Sequence, residues 1–489
     1  MATATATPPK TRDAATIADA RTAQTRWAAV AVRDRVDAVR AVRRSLVDEA
    51  RDWADEITTP GRRNLADSLA AEVLPTADAC RFLERNAAKI LRETRPPRRD
   101  RPLWGRGLQV RLRREPSGVV LVIGAWNYPL ILPGVQTLQA LAAGNAVLIK
   151  PAPGCSGTMR RLAAVLQDSG VPDGLVTVLD ESPGAARQAM SDGVDRVVLT
   201  GSATTGRAVL RQAAETITPC TVELSGCDAV FVLPGADRDR VAAAVAFGLR
   251  LNGSCTCLGP RRIFVTPHDA EPLKQKLREH AAAIPPTVLP QPVAELAERL
   301  VTEATDAGAK PLTQPNFDAD AFAPAVLDAT ELGDAACDLP LLQADLFAPV
   351  VSIVAVRDAE HALELSRRCP YALGASVFGP PGAAEAVADR VEAGCVTVND
   401  LVAPTADPRA PFGGWNSSGF GVTRGAEGLL EMTRLKAVVS QTAGWLPHLD
   451  PPRPGLDRLV IGLLRLSHGR SLGERWRGLR DVIAAGREK

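Results

Sequence analysis

Long apolar runs, a strong net charge and a cysteine framework are all missing from this sequence. No uninterrupted apolar run approaches the ~18 residues of a membrane-spanning helix, and the opening residues, MATATATPPKTRDAAT, lack the apolar stretch of a signal peptide. The 58 basic and 56 acidic residues leave a formal charge of +2, which gives no general case for nucleic acid as a partner. Nine cysteines without framework spacing fit a reducing compartment. We therefore expect a cytoplasmic protein that binds no nucleic acid.

Histidine is also scarce, with five in 489 residues. The stretch LNGSCTCLGPRRIFV (251–265) brings Cys255 and Cys257 together, but a lone C-x-C without a second cysteine or histidine pair is poor support for a metal site. We expect no metal. From the residues alone, buried packing, a disulfide and a nucleophilic role all stay open for these two cysteines. Buried packing is the common role of intracellular cysteine, and we expect it for Cys80, Cys220, Cys337, Cys369 and Cys395.

The sequence contains two series of short β-branched runs that alternate with helix-like stretches. A helical region with apolar residues at helical spacing comes first, over about residues 17–91. The first β/α series runs from GVVLVIG (118–124) to AVFVL (229–233), and the second from RRIFV (261–265) to CVTVN (395–399). Buried strands that alternate with helices predict a parallel α/β fold, and a chain of this length predicts two or three domains. Because ligands bind at the carboxyl ends of such strands, the residues just after each strand are the candidates for a site.

Three strand ends carry polar or glycine-rich signals, and each has an ordinary alternative. Asn127 follows the strand in GVVLVIGAWNYP, Gly201 and Gly206 surround a turn that leads into a helix, and Glu223 ends the strand in TPCTVELSG. An amide such as Asn127 is typical of a turn, and glycines such as Gly201 and Gly206 are common in α/β loops. A carboxylate such as Glu223 is most often a capping residue. A glycine turn before a helix is also a phosphate site in outline, and a buried carboxylate is also a base with a raised pKa.

In their order and their amino-acid sequences, these motifs resemble those of the aldehyde dehydrogenase superfamily over roughly residues 20–441. WNYP matches its Trp-Asn-aromatic-Pro signature, LIKPA its Lys-Pro cofactor motif, and LTGS followed by Gly206 its F-T-G-S-x-x-x-G turn. VELSG stands where the family has E-L-G-G-K, and PFGGWNSSGFG (411–421) is similar to P-F-G-G-x-K-x-S-G-x-G. The texts PSGVVLVIGAWNYP and TITPCTVELSG look most like the class 3, fatty-aldehyde branch.

The resemblance implies an α/β fold with a Rossmann-type cofactor domain, an α/β catalytic domain and a small oligomerisation arm. We expect the NAD(P)-binding domain over residues 15–225, with the arm near 105–117, and the catalytic domain over 226–415. Residues 416–441 would return to the cofactor domain and the oligomerisation sheet, and 442–489 would form a basic amphipathic tail. A homo-oligomer, dimer or tetramer, is the expected assembly.

The resemblance also assigns roles to Cys255 and Cys257 in the stretch 251–265. Without gaps, the family's Phe, Asn, nucleophilic Cys, Arg and Val fall on Phe247, Asn252, Cys257, Arg262 and Val265. Alignment on Gly259 would instead place Thr256 at the nucleophile, but this breaks the upstream matches and supplies a weaker nucleophile. We therefore expect Cys257 to be the nucleophile and Cys255 its neighbour.

The implied activity is the oxidation of an aldehyde to a carboxylic acid with NAD or NADP through a cysteine thioester. Cys257 would attack the carbonyl, Asn127 would hold the oxyanion, and Glu223 would activate the water that hydrolyses the thioester. Tyr128 and Phe412 would line the path of the aldehyde. The residues expected to contact the cofactor are Trp126, Lys150, Gly201, Ser202, Gly206, Asp345 and Phe347.

Departures from the family pattern bear on the cofactor and on the alternatives. Asp345 replaces a Glu, Cys227 and Asn416 replace lysines, and Pro153 stands where NAD-preferring members often have Glu. With no carboxylate at position 153, we expect NADP to be accepted at least comparably to NAD. The alternatives are a CoA-acylating relative or acyl reductase, and a catalytically weak structural paralogue. Acylating members usually lack the Glu base, so Glu223 favours the hydrolytic enzyme.

The C-terminal tail is basic and amphipathic. Residues 451–489 contain nine Arg or Lys and four Asp or Glu, a local charge of +5. Apolar residues share one helical face in LDRLVIGLLRL, and SLGERWRGLRDVI repeats the trend. Such a face packs on the protein or on a second subunit, or it lies on an anionic membrane surface. Packing is the commoner role of such a face in large soluble enzymes, and membrane contact is the alternative.

Overall fold

A computed structural model describes residues 17–57, 64–105, 107–443, 446, 449, 451 and 454–487. The chain divides into two compact units, one comprising the residues up to Ile90 together with Pro116–Thr433, the other comprising Leu91–Glu115 and the residues from Arg434 onward. The four-part division expected from the family resemblance stays a prediction.

The helices of the described residues are spread over the whole chain. They are α1 Ile17–Ala28, α2 Val32–Asp48, α3 Ala50–Glu56, α4 Leu65–Ser68, α5 Leu74–Ile90, α6 Ile131–Ala143, α7 Ser156–Asp168, α8 Pro183–Ser191, α9 Ala203–Thr216, α10 Arg238–Arg250, α11 Pro267–Ala282, α12 Gln291–Asp306, α13 Ala359–Ser366, α14 Pro381–Ala388, α15 Gly425–Glu431, α16 Leu456–His468 and α17 Leu472–Arg487.

The strands follow the β-branched runs of the sequence. They are β1 Leu108–Pro116, β2 Val119–Ile123, β3 Ala146–Lys150, β4 Val176–Val178, β5 Arg196–Gly201, β6 Cys220–Leu224, β7 Asp228–Val232, β8 Pro260–Val265, β9 Lys310–Pro311, β10 Ala325–Asp328, β11 Val350–Ala355, β12 Tyr371–Ala372, β13 Gly374–Phe378, β14 Cys395–Val398, β15 Trp415–Asn416, β16 Gly419–Phe420 and β17 Thr433–Gln441.

Apolar spacing explains the helices at the start of the chain. Helix α2 buries Val36, Val39, Val42 and Leu46, which recur every three or four residues and so lie on one face. Helix α5 packs against α2 and also against α6. Every residue of α6 is buried, so this helix is a central support of the first unit. The helical region expected over residues 17–91 is confirmed for the described residues, 17–57 and 64–91.

The first sheet of the larger unit has six strands in the order β16-β6-β5-β2-β3-β4. Strands β2 to β6 are parallel, and β16 pairs antiparallel with β6. All residues of β2 and β3 are buried, as expected for strands covered on both faces. The strand order reverses at β2, since β3 and β4 lie on one side of it and β5 and β6 on the other. A ligand crevice forms at the carboxyl ends of the strands next to such a reversal.

The second sheet has seven strands in the order β14-β13-β7-β8-β11-β10-β9, parallel apart from β9. Its core includes Phe231 and Phe264, whose ring centroids are 5.5 Å apart. The loop between α10 and β8 contains Cys257. The strand that follows this loop, β8, is the central strand of the second sheet. The fold therefore confirms the expected parallel α/β architecture with two sheets.

The smaller unit contains a two-stranded sheet of β1 and β17 and a helical pair, α16 and α17. The tail is thus two helices, and α16 and α17 pack closely where Gly462 meets Gly478. A Cβ atom on Gly462 would lie 2.9 Å from the Gly478 carbonyl oxygen. Apolar side chains including Leu464 and Trp476 are more than half exposed. None of the helices in the described residues combines the length and the apolar character that crossing a bilayer requires.

Candidate active site

The candidate site is a cleft where the carboxyl ends of β2, β3, β5 and β6 face the loop before β8. Its volume is about 350 Å³. Nine of the predicted site residues line it, and they come from six separate segments of the chain: Trp126, Asn127, Lys150, Gly201, Ser202, Glu223, Cys257, Asp345 and Phe347. The fold therefore brings together most of the candidates. Gly206, Tyr128 and Phe412 lie outside the lining of this cleft.

The loop that carries Cys257 begins with three residues in the left-handed conformation. The φ angles of Asn252, Gly253 and Ser254 are 51°, 61° and 62°. Because a residue with a Cβ atom adopts this conformation at a cost, neighbouring contacts must hold the loop in place. The amide of Asn252 is one of them, since it donates to the Asn127 carbonyl at 2.8 Å and is itself buried.

The loop after β2 is tied to the nucleophile loop at several points. The Asn127 Nδ2 donates to the Cys255 carbonyl at 2.9 Å, and the hydroxyls of Tyr128 and Thr256 share a hydrogen bond of 2.7 Å. The buried Glu72 carboxylate accepts from the backbone N–H groups of the two residues at the start of α6, at 2.7 and 2.9 Å. Tyr128 therefore holds the two loops together, and its expected contact with substrate stays a prediction.

Two consecutive arginines at the start of β8 hold different parts of the site. The Arg261 guanidinium donates to the Ser254 hydroxyl at 2.9 Å, to the Ser254 carbonyl at 3.0 Å and to the Ala348 carbonyl at 2.6 Å. Arg262, the position that matches the family's Arg, instead donates to the Cys227 and Ser366 carbonyls. Sequence reasoning missed Arg261. The signal was an arginine pair at the start of a strand that is otherwise apolar.

Cys257 and Glu223 form the central pair of the cleft. The Cys257 Sγ lies 3.9 Å from the Glu223 Oε1, and the Glu223 side chain is buried. Burial raises the pKa of Glu223 to about 7, and burial also raises the pKa of the Cys257 thiol, with the Glu223 charge adding to that shift. At neutral pH the resting thiol is therefore protonated, while the carboxyl is close to its midpoint and can accept a proton.

Cys255 has a different environment from its neighbour. Its side chain is fully buried, and its Sγ lies 3.5 Å from the Phe347 carbonyl oxygen and 3.8 Å from that of Gly253. It belongs to the core of the second sheet, together with Phe231 and Phe264. This thiol has the surroundings of a packing residue, whereas that of Cys257 faces the cleft.

The β5–α9 turn provides a helix N-terminus at the cleft. Ser202 caps α9, and its hydroxyl accepts from the Thr205 backbone N–H at 3.2 Å. Gly206 lies inside this helix, where a Cβ atom would meet the Leu224 side chain at 2.8 Å. Gly206 therefore allows α9 to pack closely on β6, and a helix N-terminus of this kind favours an anionic group.

The fit of these residues to a dinucleotide can be judged from the Asp345 carboxylate, one oxygen of which is orphaned. The Asp345 Oδ1 is buried, and within the described part of the chain it has no hydrogen-bond partner. Burial raises the pKa of Asp345. A ribose hydroxyl is a donor that would satisfy this oxygen. The neighbouring rings of Trp126 and Phe347, with centroids 6.2 Å apart, and the buried Lys150 complete a lining that fits NAD or NADP.

Arg424 is a cation that sequence reasoning missed. Its guanidinium carbon lies 4.3 Å above the Phe412 ring, and Nη1 donates to the Thr405 carbonyl at 2.8 Å. Phe412 belongs to a buried cluster against which Cys257 packs. The charge of Arg424 acts against the effect of burial, because it lowers the pKa values of both Glu223 and Cys257.

Phe412 itself is fully buried under this guanidinium, at 1% exposure. Its expected contact with substrate stays a prediction. Among the described residues, no group of three or more His, Cys, Asp or Glu side chains is placed to hold a metal ion.

Comparison with known proteins agrees on one family. The family model described as "Aldehyde dehydrogenase family" matches residues 2–438. A protein of Mycobacterium ulcerans (strain Agy99), provisionally named succinate-semialdehyde dehydrogenase (NADP(+)) 2, is 28% identical over 451 residues, 90% of this chain and 85% of the relative. The 4,4'-diapolycopene aldehyde oxidase of Methylomonas sp is 28% identical over 419 residues, 83% of this chain and 77% of the relative.

The fold is also similar to that of solved structures. The betaine aldehyde dehydrogenase of Staphylococcus aureus, in complex with NAD+, superposes with a TM-score of 0.79 at 24% identity, covering 89% of this chain and 88% of that one. At this identity the likeness concerns the fold.

Replacing Arg424 tests its electrostatic role. Arg424→Gln removes a positive charge that acts on Cys257 and Glu223, so we expect the apparent pKa of the Cys257 thiol to rise. Arg424→Lys keeps the charge and should stay close to the unmodified protein. The measurement is the rate of Cys257 alkylation by iodoacetamide against pH, followed by peptide mass spectrometry. An unchanged pH dependence in Arg424→Gln would show that this guanidinium only packs on Phe412.

Proposed function

The chain belongs to the aldehyde dehydrogenase family, and we propose that it oxidises an aldehyde to the carboxylic acid with NAD or NADP through a thioester on Cys257. The observation that carries this assignment is the Cys257–Glu223 pair, 3.9 Å from sulfur to oxygen, in a cleft that also contains the orphaned Asp345 oxygen. A soft nucleophile, a buried base and a dinucleotide cleft are together what this chemistry requires.

In the first step, the Cys257 thiol passes its proton toward Glu223, and the sulfur attacks the aldehyde carbon. The oxyanion that forms accepts hydrogen bonds from the Cys257 backbone N–H and from the Asn127 amide. One Nδ2 hydrogen of Asn127 is held by the Cys255 carbonyl, which fixes the direction of the other. Each such donor typically contributes about 3 kcal/mol to the stabilisation of the transition state.

The thioester then forms and is hydrolysed. When bound, the nicotinamide ring supplies the hydride acceptor that converts the hemithioacetal on Cys257 into a thioester. Glu223 first releases the thiol's proton to solvent, since its pKa of about 7 allows this at neutral pH. The carboxylate then takes a proton from the attacking water, because burial makes it a stronger base than an exposed one. Trp126, Phe347 and the Asp345 carboxylate would hold the nicotinamide end of the cofactor.

The CoA-acylating alternative uses the same thioester but transfers the acyl group to a thiol. It has less support, since a buried carboxylate beside Cys257 serves the activation of water. A panel of aldehydes, assayed with NAD and with NADP, in the presence and absence of CoA, tests both. The hydrolytic assignment expects turnover without CoA and free acid as the product. A requirement for CoA, or the absence of activity with every aldehyde, would contradict it.

The panel should cover two extremes of aldehyde chemistry. The names of the relatives refer to a short acidic aldehyde and to a long apolar one. The class 3, fatty-aldehyde resemblance of the sequence stays a prediction, and long-chain aliphatic aldehydes test it directly.

Substitution of each cysteine separates the nucleophile from its neighbour. Cys257→Ala should lower kcat at least about a thousand-fold, because it removes the atom that forms the thioester. Cys255→Ala is the matched control, since it removes a thiol two residues away that is buried in the core. We expect it to retain measurable activity. An inactive Cys255→Ala protein beside an active Cys257→Ala protein would reverse the assignment.

Glu223→Gln should separate the two halves of the reaction. We expect a burst of about one NAD(P)H per active site, slower than in the unmodified protein because Glu223 also accepts the thiol proton. Steady turnover should be lowered by about 10² to 10⁴, because hydrolysis loses its base. Rapid-mixing absorbance at 340 nm, a standard NADH wavelength, measures both phases. A lost burst with turnover intact would contradict the role of Glu223 in hydrolysis.

We propose that the β1–β17 sheet is an assembly surface between copies of the chain. A sheet of only two strands is marginal by itself, and Leu435 and Val439 of β17 are more than half exposed. A further strand from a second copy would satisfy its open edge. Sedimentation velocity of the purified protein distinguishes the proposed dimer or tetramer from a monomer.

We also propose that the protein is cytoplasmic and that its C-terminal tail contacts the membrane surface. The helices α16 and α17 expose Val460, Leu464, Leu472, Trp476 and Ile483, and they lie in a segment with a local charge of +5. Apolar side chains bordered by arginines bind at the boundary of an anionic bilayer. The alternative is that a second subunit or the rest of the chain covers this surface.

Truncation after Thr442 tests the membrane contact. We expect the full-length protein to sediment with vesicles of phosphatidylglycerol and phosphatidylcholine, and the truncated protein to remain in the supernatant with activity on small aldehydes largely intact. Vesicles of phosphatidylcholine alone are the control for the charge. If the full-length protein never sediments with either vesicle, or if truncation merely unfolds the protein, the tail is structural.

A further inference from the structure

A carboxylate from a neighbouring loop occupies the N-terminus of α7, beside the cofactor lysine. Lys150 ends β3, and the chain then runs through Pro153 into α7. Glu181 lies in the loop after β4, the strand next to β3. Its Oε2 accepts from the Gly154 backbone N–H and its Oε1 from the Ser156 backbone N–H, both at 2.9 Å. Both carboxylate oxygens are therefore fixed at the turn that follows Lys150.

This carboxylate is a fixed negative charge. Hydrogen bonds from the Gly154 backbone N–H and then from the side chain and backbone of Ser156 lower the pKa of Glu181, so the side chain is ionised at neutral pH. The helix dipole of α7 favours a negative charge at the same place. The charges of Glu181 and, after it, Asp180 act on Lys150, which places both carboxylates in the electrostatic surroundings of that ammonium group.

NAD and NADP differ by one phosphate, on the 2' oxygen of the adenosine ribose. Lys150 and Pro153 line the cleft, and the family resemblance implies that Lys150 contacts the cofactor. Glu181 lies outside this lining and borders it through the start of α7. Backbone N–H groups at a helix start would otherwise be donors for a phosphate. Glu181 already accepts from two of them, and a 2'-phosphate would meet its charge. A ribose 2'-hydroxyl would instead meet a carboxylate with further acceptor capacity.

We propose that Glu181 makes the cleft selective for NAD over NADP, and that it supplies from the β4 loop the carboxylate that position 153 lacks. The proposal rests on the proposed function, in which this cleft holds the dinucleotide. It replaces the expectation drawn from Pro153, which considered one position along the chain. In the folded protein, residues 153 and 181 border the same helix start.

Equilibrium binding tests the proposal without catalysis. NAD and NADP are titrated separately into the full-length protein by isothermal calorimetry. We expect NAD to bind at least about ten-fold more tightly than NADP, and Glu181→Gln to move the ratio of the two Kd values at least about ten-fold toward NADP. Gln keeps the shape of the side chain and removes the charge.

Asp180→Asn is the matched control. It removes the same charge one residue away, at an exposed side chain whose carboxylate accepts from the Ser182 N–H and not from α7. We expect the ratio of Kd values to stay within about three-fold of that of the unmodified protein. A change as large as that in Glu181→Gln would mean that net charge alone sets the preference, and it would overturn the specific role of Glu181.

The other outcomes are also decisive. Equal affinity of the unmodified protein for NAD and NADP overturns the proposal and leaves the proposed function intact. Equal weakening of both cofactors by Glu181→Gln shows a helix cap without selectivity, and also overturns it. If the unmodified protein binds neither dinucleotide, both the proposal and the proposed function fail. The ratio of the Kd values for NAD and NADP is measured on the unmodified protein, so the proposal is tested even if a variant is unstable.

Discussion

Burial of one carboxylate beside one thiol is the constraint on which the site depends. Glu223 ends a buried strand of the first sheet, and Cys257 lies in the loop before a central strand of the second. In this environment ionisation of either group is unfavourable, so the thiol keeps its proton at rest and the Glu223 carboxylate is the base beside it that can accept that proton. Arg424 supplies a nearby positive charge that limits the penalty. The chemistry follows from this balance of burial and charge.

The remainder of the site keeps that pair in place. The nucleophile loop begins with left-handed residues, and side-chain contacts from three directions hold it there: the Asn252 amide, the Tyr128–Thr256 hydroxyl pair and the Arg261 guanidinium. These contacts connect the loop after β2, the nucleophile loop and the residues before β11. Because these contacts already order the nucleophile loop, substrate binding does not have to order it.

Local patterns predicted much of this structure, and contacts across the fold account for what they missed. The β-branched runs located the strands, and the motif order placed nine candidates in one cleft. The roles of Arg261, Arg424 and Glu181 depend on partners that are distant in sequence. These are the Ala348 carbonyl, 87 residues from Arg261, the Thr405 carbonyl, 19 from Arg424, and the Gly154 N–H, 27 from Glu181. Sequence spacing contains no information on such pairs. The break between α16 and α17 was likewise not recognised within a continuous amphipathic pattern.

Trapping the covalent intermediate is the most direct test of the Cys257–Glu223 account. The Glu223→Gln protein is mixed with an aldehyde and NAD or NADP, quenched in acid and digested, and the peptide that contains both Cys255 and Cys257 is sequenced by mass spectrometry. The account predicts an acyl group on the sulfur of Cys257, with a peptide mass increase two hydrogens below the mass of the added aldehyde. An acyl group on Cys255, or no adduct while acid is still produced, would contradict it.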